Sequence, residues 1–285
     1  MQVFKHNLER IAENDGNEIS AVDPDAHLMN QGGDGREYDA CYNVIMAVDE
    51  KHKLIADFEV STCMDEKGIL PMLTENVKTL MGVTEISALA DKGFYNGEDI
   101  EECEKNGTIC FIPEVFKGKQ APEPEYNREN FKYDHEKDCY VCPAGAELKY
   151  RKTKKRKLRS GESEDERKID KVYSNFAACQ NFINREQCTT NKMGRDIYRN
   201  QYQDTLDITN ARMLTKEGRT MFRNRKQIVE HPFGTTKHGW GYRNFLCRKI
   251  EKVTGEQSLV FLAYNFRRVF NIFKENGTKL QNPMA

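Results

Sequence analysis

At 285 residues, 31% charged and 38% hydrophobic, the chain can bury a full core as one large domain or as a domain with an insertion. No apolar run approaches the roughly 20 residues of a membrane span, and the opening Met1-Gln2-Val3-Phe4-Lys5-His6 lacks a signal-peptide pattern; membrane and secreted classes are set aside and a cytoplasmic location is expected. The net charge of −1 conceals a gradient: residues 1–148 hold 14 Lys and Arg against 31 Asp and Glu, residues 149–211 hold 15 against 9, and residues 212–285 hold 15 against 5, which marks the second half as the face for polyanions.

Taken in chain order, Tyr42–Asp49 and Lys53–Ser61 are apolar or alternating, with Leu54, Ala56, Phe58 and Val60 on one face. The short polar Glu50-Lys51-His52 between them predicts a β-hairpin. Ile69, Leu70, Leu73, Val77, Leu80 and Met81 then recur at helical spacing, with Pro71 tolerated in the first turn. Glu85–Ala90 reads as a buried strand ending at Asp91, Gly97–Asn106 as a short acidic helix closed by Gly107, and Thr108–Pro113 as another strand. This order predicts an α/β fold, a mixed sheet with flanking helices.

From Glu114 to about Ala211 the pattern breaks down. Lys149–Arg159 (KYRKTKKRKLR) and the polar Ser160–Lys171 read as a mobile, basic loop, and residues 114–211 as an irregular, Cys-containing insertion. Residues 1–113 would then form the N-terminal part of the core and 212–285 its C-terminal part. Regular structure is expected to resume over Met213–Lys237 and again from about Glu256, where Leu259, Leu262, Phe266, Val269 and Phe273 line one helical face that would close the core.

Two acids stand out chemically. Asp91 lies at a strand's carboxyl end, where open α/β sheets place their chemistry, although an acid there also serves as a helix N-cap. Gly93 permits close backbone approach beside it, and Lys92 and Tyr95 are placed to orient a phosphate or stack on a sugar. Glu230 sits among Arg223, Arg225, Lys226 and Lys237, and Pro232 and Gly234 are expected to interrupt its helix directly after it. A carboxylate at a strand end and a second in a cationic helix are what a two-metal phosphoryl-transfer site needs. The cations, with Arg243, would face DNA phosphates and make binding salt-dependent.

Together with these residues, Asp23-Pro24-Asp25-Ala26-His27-Leu28-Met29, Tyr42-Asn43-Val44, Ala90-Asp91-Lys92-Gly93-Phe94-Tyr95, Val229-Glu230-His231-Pro232-Phe233-Gly234 and Leu262-Ala263-Tyr264-Asn265 make the chain resemble the DDE transposases of bacterial insertion sequences. The resemblance implies a ribonuclease H-like fold, with Asp91 as second and Glu230 as third carboxylate of an acidic triad that holds Mg²⁺ or Mn²⁺. Many relatives carry a Tyr, an Arg, the Glu and a Lys at fixed steps; here Glu230 and Lys237 keep their step, while Arg223 and Lys226 stand at the Tyr and Arg positions. In such proteins the first carboxylate lies on a core strand upstream of the hairpin. No apolar strand ending in Asp precedes Tyr42, and Asp23 and Asp25 lie in a Pro-containing loop read as structural, so the chain resembles the C-terminal portion of a longer transposase. The competing reading is a truncated, inactive DNA-binding remnant.

Nine cysteines without an export signal argue for reduced thiols or metal over disulfides. Cys139-x-x-Cys142, with Cys179 and Cys188, invites a structural Zn²⁺ reading, against which stand the wide second pair and the resemblance, which implies that a Cys of relatives is replaced by Phe182. Cys41, Cys63, Cys103, Cys110 and Cys247 read as small core residues. Trp240, Tyr242 and Phe245, interleaved with cations, suggest stacking on unpaired bases, with core packing preferred for Phe245. His231 reads as a hydrogen-bonding support for its neighbour. The expected partners are double-stranded DNA, as transposon ends and target, and further copies of the chain when active.

Overall fold

The computed structural model describes residues 20, 22–30, 38–62, 67–115, 120–156 and 167–275. Cys63 and most of the predicted polar loop after Arg159 lie outside them. The described residues fall into two compact units: those up to Pro113 together with those from Thr209 onward, and Glu114–Ile208.

In the first unit, β1 (His27–Asn30) pairs antiparallel with β2 (Tyr38–Cys41), and β3 (Asn43–Val48) with β4 (Ile55–Ser61). The second pair is the predicted hairpin. Helix α1 (Ile69–Met81) follows, ended by Gly82 at φ 65°; it buries Leu70, Leu73 and Thr74, packs on β4, and sets the Thr74 hydroxyl against Cys103 of the next helix. Then come β5 (Ile86–Leu89), α2 (Gly97–Lys105) and β6 (Thr108–Phe111), with β5 and β6 parallel. Asn96 caps α2 by accepting from the Glu98 N–H, and Gly107, at φ 82°, turns the chain into β6 where a Cβ would meet the Thr84 carbonyl oxygen at 2.7 Å.

The predicted single mixed sheet is not continuous among the described residues: β3–β4 and β5–β6 are separate two-stranded ladders. Side chains explain why neither extends outward. Asn265 accepts from Ile55 N–H at 2.9 Å and donates to Ile55 C=O at 2.8 Å, closing the far edge of β4. On β6, Glu104 accepts from Cys110 N–H and Arg212 donates to Cys110 C=O, and the two side chains pair with each other. Both outer edges are thereby capped against further pairing.

The second unit corrects the expectation of an irregular insertion. Strands β7 (Lys132–Asp134), β8 (Cys139–Val141), β9 (Glu147–Lys155), β10 (Ile169–Ser174) and β11 (Ile197–Asn200) form one antiparallel sheet in the order β11-β10-β9-β8-β7. Two short helices, α3 (Phe176–Gln180) and α4 (Arg185–Cys188), lie between β10 and β11. Tyr126, Phe131, Tyr140, Leu148, Tyr173 and Ile197 make its core. Tyr133 and Tyr173 both donate to Asp138, while Arg199 lies 3.8 Å over the Tyr133 ring and donates to Tyr140 and Asp207. The basic segment from Lys149 is thus a strand. It runs past the short β8 and pairs with β10 as an exposed ribbon, which is why its lysines never register as core.

Helix α5 (Gln203–Leu214) contains the boundary between the units, followed by α6 (Lys216–Phe233) and α7 (Ile250–Glu275). Helix α7 buries Val253, Gln257, Phe261 and Tyr264, each no more than 5% exposed, and packs on β4 through Phe261 and Tyr264 against Ile55 and Phe58. The predicted core stripe is on the other side: Leu259, Leu262 and Phe266 are 68, 62 and 76% exposed. The helix is apolar on two faces, and the face that carries the polar Gln257 and Tyr264 won the interior because two adjacent carbonyls of the β3–β4 turn accept hydrogen bonds from it. Tyr264 donates to Lys53 C=O and Arg268 to His52 C=O.

Candidate functional site

The site grows from two elements. Strand β5 ends at Leu89, the N–H of Ala90 reaches Phe111 C=O, and the chain turns at Asp91 into a short 3₁₀ turn over Lys92–Phe94. The Asp91 carboxylate accepts from the Lys92 N–H at 2.7 Å, so the capping role is realised. Its other oxygen lies 3.7 Å from the Arg225 guanidinium, and the side chain stays half exposed. Tyr95, expected at a phosphate or sugar, instead donates to Asn210 at 2.9 Å.

Helix α6 starts at Thr215, whose hydroxyl accepts from the Gly218 N–H; a Cβ on Gly218 would stand 2.3 Å from the Arg212 carbonyl oxygen, so only glycine fits. Along α6, Lys216, Arg219, Arg223, Lys226 and Glu230 follow at steps of three and four and are all exposed, one solvent-facing stripe of four cations ending in an acid. Ile228 is buried on the opposite side. Arg225 belongs to neither: five residues before Glu230, it is turned about 140° around the helix and set about 7.5 Å back along it. It is directed at Asp91 and lies over Phe222, so the expected phosphate contact is replaced by an acidic neighbour. Lys237 stands over the Phe233 ring, and Arg243 is exposed in the following loop.

The helix is not interrupted at Pro232 and Gly234 as expected. It passes into a π-helical turn over Gly234–Gly239, and the Thr235 and Thr236 hydroxyls donate to the carbonyls of His231 and Pro232. Such widened turns re-register a helix where its regular hydrogen bonding is broken, here by proline. His231 hydrogen-bonds through Nδ1 to the Tyr264 hydroxyl at 2.7 Å, tying the residue after Glu230 to α7 and through it to Lys53. Burial, with the charges of Arg268 and Lys53, holds its imidazole below the ordinary histidine range.

The Asp23 and Asp25 carboxylates cap α7. Asp23 accepts from Lys249 N–H and the Tyr42 hydroxyl, and Asp25 from Ile250 N–H. Trp240 packs against the Ile55–Phe261–Tyr264 core, and Phe245 meets Tyr42 and Tyr242 edge-on, so these rings are structural. Of the minor cysteines, Cys103 and Cys110 are buried, Cys41 is half-buried and Cys247 is exposed.

One feature escaped the sequence reading. Asp49, Glu50, Lys51 and Lys53 on the β3–β4 turn form, with Asn224, Gln227 and Ile228 of α6, an open cleft of about 500 Å³ beside the cationic stripe. Two adjacent acids in a hairpin turn read only as a polar turn; the signal lay in their pairing with a distant helix.

The four candidate zinc cysteines do not act as one set. Cys142 and Cys179 contribute to the electrostatic surroundings of the Cys188 thiol, whereas Cys139 is surrounded by Glu147, Asp134, Lys137 and Lys149. Cys139 lies in β8 and Cys142 just past its end, where its N–H donates to Ala146 C=O and its C=O accepts from Gly145 N–H as the chain turns. Among the described residues, no group of three or more His, Cys, Asp or Glu side chains is arranged to hold a metal ion. The carboxylates of Asp91 and Glu230 are the hard oxygen donors that Mg²⁺ takes, so their chemistry, though not a complete ligand set, fits that ion.

A family model described as "Transposase DDE domain" matches residues 125–270, 146 of the 285. The chain belongs to the DDE transposase domain family. No curated protein and no solved structure matches it. The matched part of this DDE domain includes Glu230 and its flanking cations as well as Cys139, Cys142, Cys179 and Cys188, and it begins after Asp91. Among the described residues no helix is long and apolar enough to cross a membrane.

Proposed function

We propose that this chain performs strand cleavage and transfer on the DNA of a bacterial insertion sequence, on a ribonuclease H-like core, with Asp91 and Glu230 as two of three metal-binding carboxylates. The observation that carries the reading is the α6 stripe: four exposed cations run into Glu230 on a helix packed against the strand that delivers Asp91. Phosphates following Lys216, Arg219, Arg223 and Lys226 would lead a backbone to the acid. When bound, a pair of Mg²⁺ or Mn²⁺ ions would activate water, or a 3′-hydroxyl, for in-line attack on a phosphodiester.

The chain's own residues do the holding and aiming. Arg225 keeps the Asp91 carboxylate turned toward α6 and neutralises it until a cation competes. His231, braced by Tyr264, fixes the turn of helix that presents Glu230. The first carboxylate of the triad lies, by the resemblance, on a core strand upstream of the hairpin. With the outer edges of β4 and β6 closed by Asn265, Glu104 and Arg212, the edges of β3 and β5 are the ones that would take such a strand.

The test pairs duplex binding over a salt series with Mg²⁺-dependent nicking. Binding by the chain is expected, and Glu230→Gln should leave it intact. Nicking abolished by either Asp91→Asn or Glu230→Gln supports the assignment. Nicking that survives both substitutions removes these acids from the site, and binding without any nicking favours the inactive remnant.

A further inference from the structure

The outer face of α7 carries a pattern that neither the core nor DNA uses. Leu259, Leu262, Phe266, Phe270 and Phe273 are 68, 62, 76, 52 and 38% exposed, and Val269, at 38%, adjoins them. Their steps are three, four, four and three, which keeps them on one side of the helix. The order is symmetric about Phe266: Leu259 and Phe273 are seven residues from it on either side, and Leu262 and Phe270 four. With about 200 Å² for each aromatic side chain and somewhat less for each aliphatic one, the exposed fractions amount to on the order of 600 Å², at the upper end of what a monomer leaves bare.

We propose that this face is the interface of a homodimer in which α7 of two copies pairs antiparallel about a two-fold axis at Phe266. An isologous contact requires that if one residue meets a second, the second meets the first in the other copy. The symmetric spacing provides this: Leu259 opposes Phe273, Leu262 opposes Phe270, Phe266 opposes itself, and the small Ala263 opposes Val269. From Leu259 to Phe273 the only charged residues are Arg267 and Arg268, off the seam. Glu251, Lys252 and Glu256 leave the first half of α7 net acidic by one charge, and Arg267, Arg268, Lys274 and Glu275 leave the second net basic by two, so antiparallel pairing sets the acidic half against the basic half while parallel pairing would set like against like. Helix dipoles favour the same orientation. The buried total, on the order of 1,200 Å², reaches the lower range of specific interfaces.

The proposal does not rest on the active-site reading, because dimerisation needs neither metal nor DNA. Sedimentation of the full chain across a micromolar series is expected to give the mass of two chains, and Leu262→Glu with Phe266→Glu to give one. Since both residues point outward, the far-UV circular dichroism of the double variant should match the parent. A parent that remains a single chain overturns the proposal and leaves the face to another polypeptide; a dimer indifferent to the double variant overturns it by placing the interface elsewhere.

Should the double variant fail to fold, oxidative cross-linking of Phe266→Cys answers the same question, with the parent, which has an exposed Cys247, as control. A peptide linked to its own copy at position 266 is expected; absence of that link overturns the pairing. Leu259→Cys should link to Phe273→Cys in a mixture and not to itself. Self-linking of Leu259→Cys would overturn the antiparallel arrangement.

Discussion

Helices α6 and α7 belong to the same unit and differ in what they turn outward. Outside, α6 presents Lys216, Arg219, Arg223, Lys226 and Glu230, and α7 presents Leu259, Leu262, Phe266 and Phe270. Inside, α6 buries little beyond Ile228, Pro232 and Gly218, while α7 buries Val253, Gln257, Phe261 and Tyr264. The comparison separates two jobs. The last helix carries the stability of the unit on one face and a protein-binding seam on the other, whereas the helix with Glu230 is lightly anchored and devoted to charge.

The largest effect that would break this division is at Phe261. Phe261→Ala should cost about 3–5 kcal/mol, because a fully packed aromatic is lost from beneath β4 and a cavity remains. Phe266→Ala, one turn on but outward, should stay within about 0.5 kcal/mol in dilute protein. Urea melts of the two variants check the pair, and equal losses would mean that the faces have been assigned the wrong way round.

Next in size is Asn265→Ala. It leaves Ile55 N–H and C=O without their partners at the edge of β4, a loss of about 1–3 kcal/mol. The variant should also show faster amide exchange at Ile55, and unchanged exchange there would exclude the capping role.

The inner face of α7 also shows what the sequence could and could not disclose. The hairpin, α1, β5, α2 and β6 emerge within a residue or two of expectation because each shows one clear period and a turn residue at its end, such as Gly82 or Gly107. Helix α7 has two apolar stripes, and periodicity alone cannot rank them; the hydrogen bonds of Tyr264, Asn265 and Arg268 to the distant β3–β4 hairpin do. In the second unit, β9 is held by pairing with β10 and buries almost nothing past Leu148, so its run of lysines reads as a linker. At the site, the types of Asp91 and Glu230 were legible, as was the structural role of Asp23 and Asp25. That Arg225 turns to Asp91 instead of solvent depends on the packing of α6 against β5, which leaves no local pattern.

A smaller effect sharpens the charge side of the comparison. Replacing Lys216, Arg219, Arg223 and Lys226 together by Ala should weaken binding to any duplex and shallow its logarithmic salt dependence by roughly three to four. Arg225→Ala should leave that slope nearly unchanged, since its guanidinium is directed at Asp91. A slope lost equally with Arg225 would restore it to the phosphate-contacting set.

The smallest effect concerns a link between the two helices, His231 to Tyr264. The Tyr264 hydroxyl has a single proton, given to Lys53 C=O, so His231 must donate its Nδ1–H to the Tyr264 oxygen. Its folded pKa lies below its ordinary value, through burial first and then the charges of Arg268 and Lys53. A depressed pKa means that the folded protein binds fewer protons than the unfolded chain. The contribution is therefore complete above about pH 6.5 and is lost as pH falls through the folded value. His231→Asn keeps an amide donor near the Nδ1 position and removes the titration. Urea midpoints at pH 7.5 and 5.5 should then differ less in the variant than in the parent. Equal differences would show that His231 does not sense the junction, and would leave the fixing of Glu230 to the π-helical turn alone.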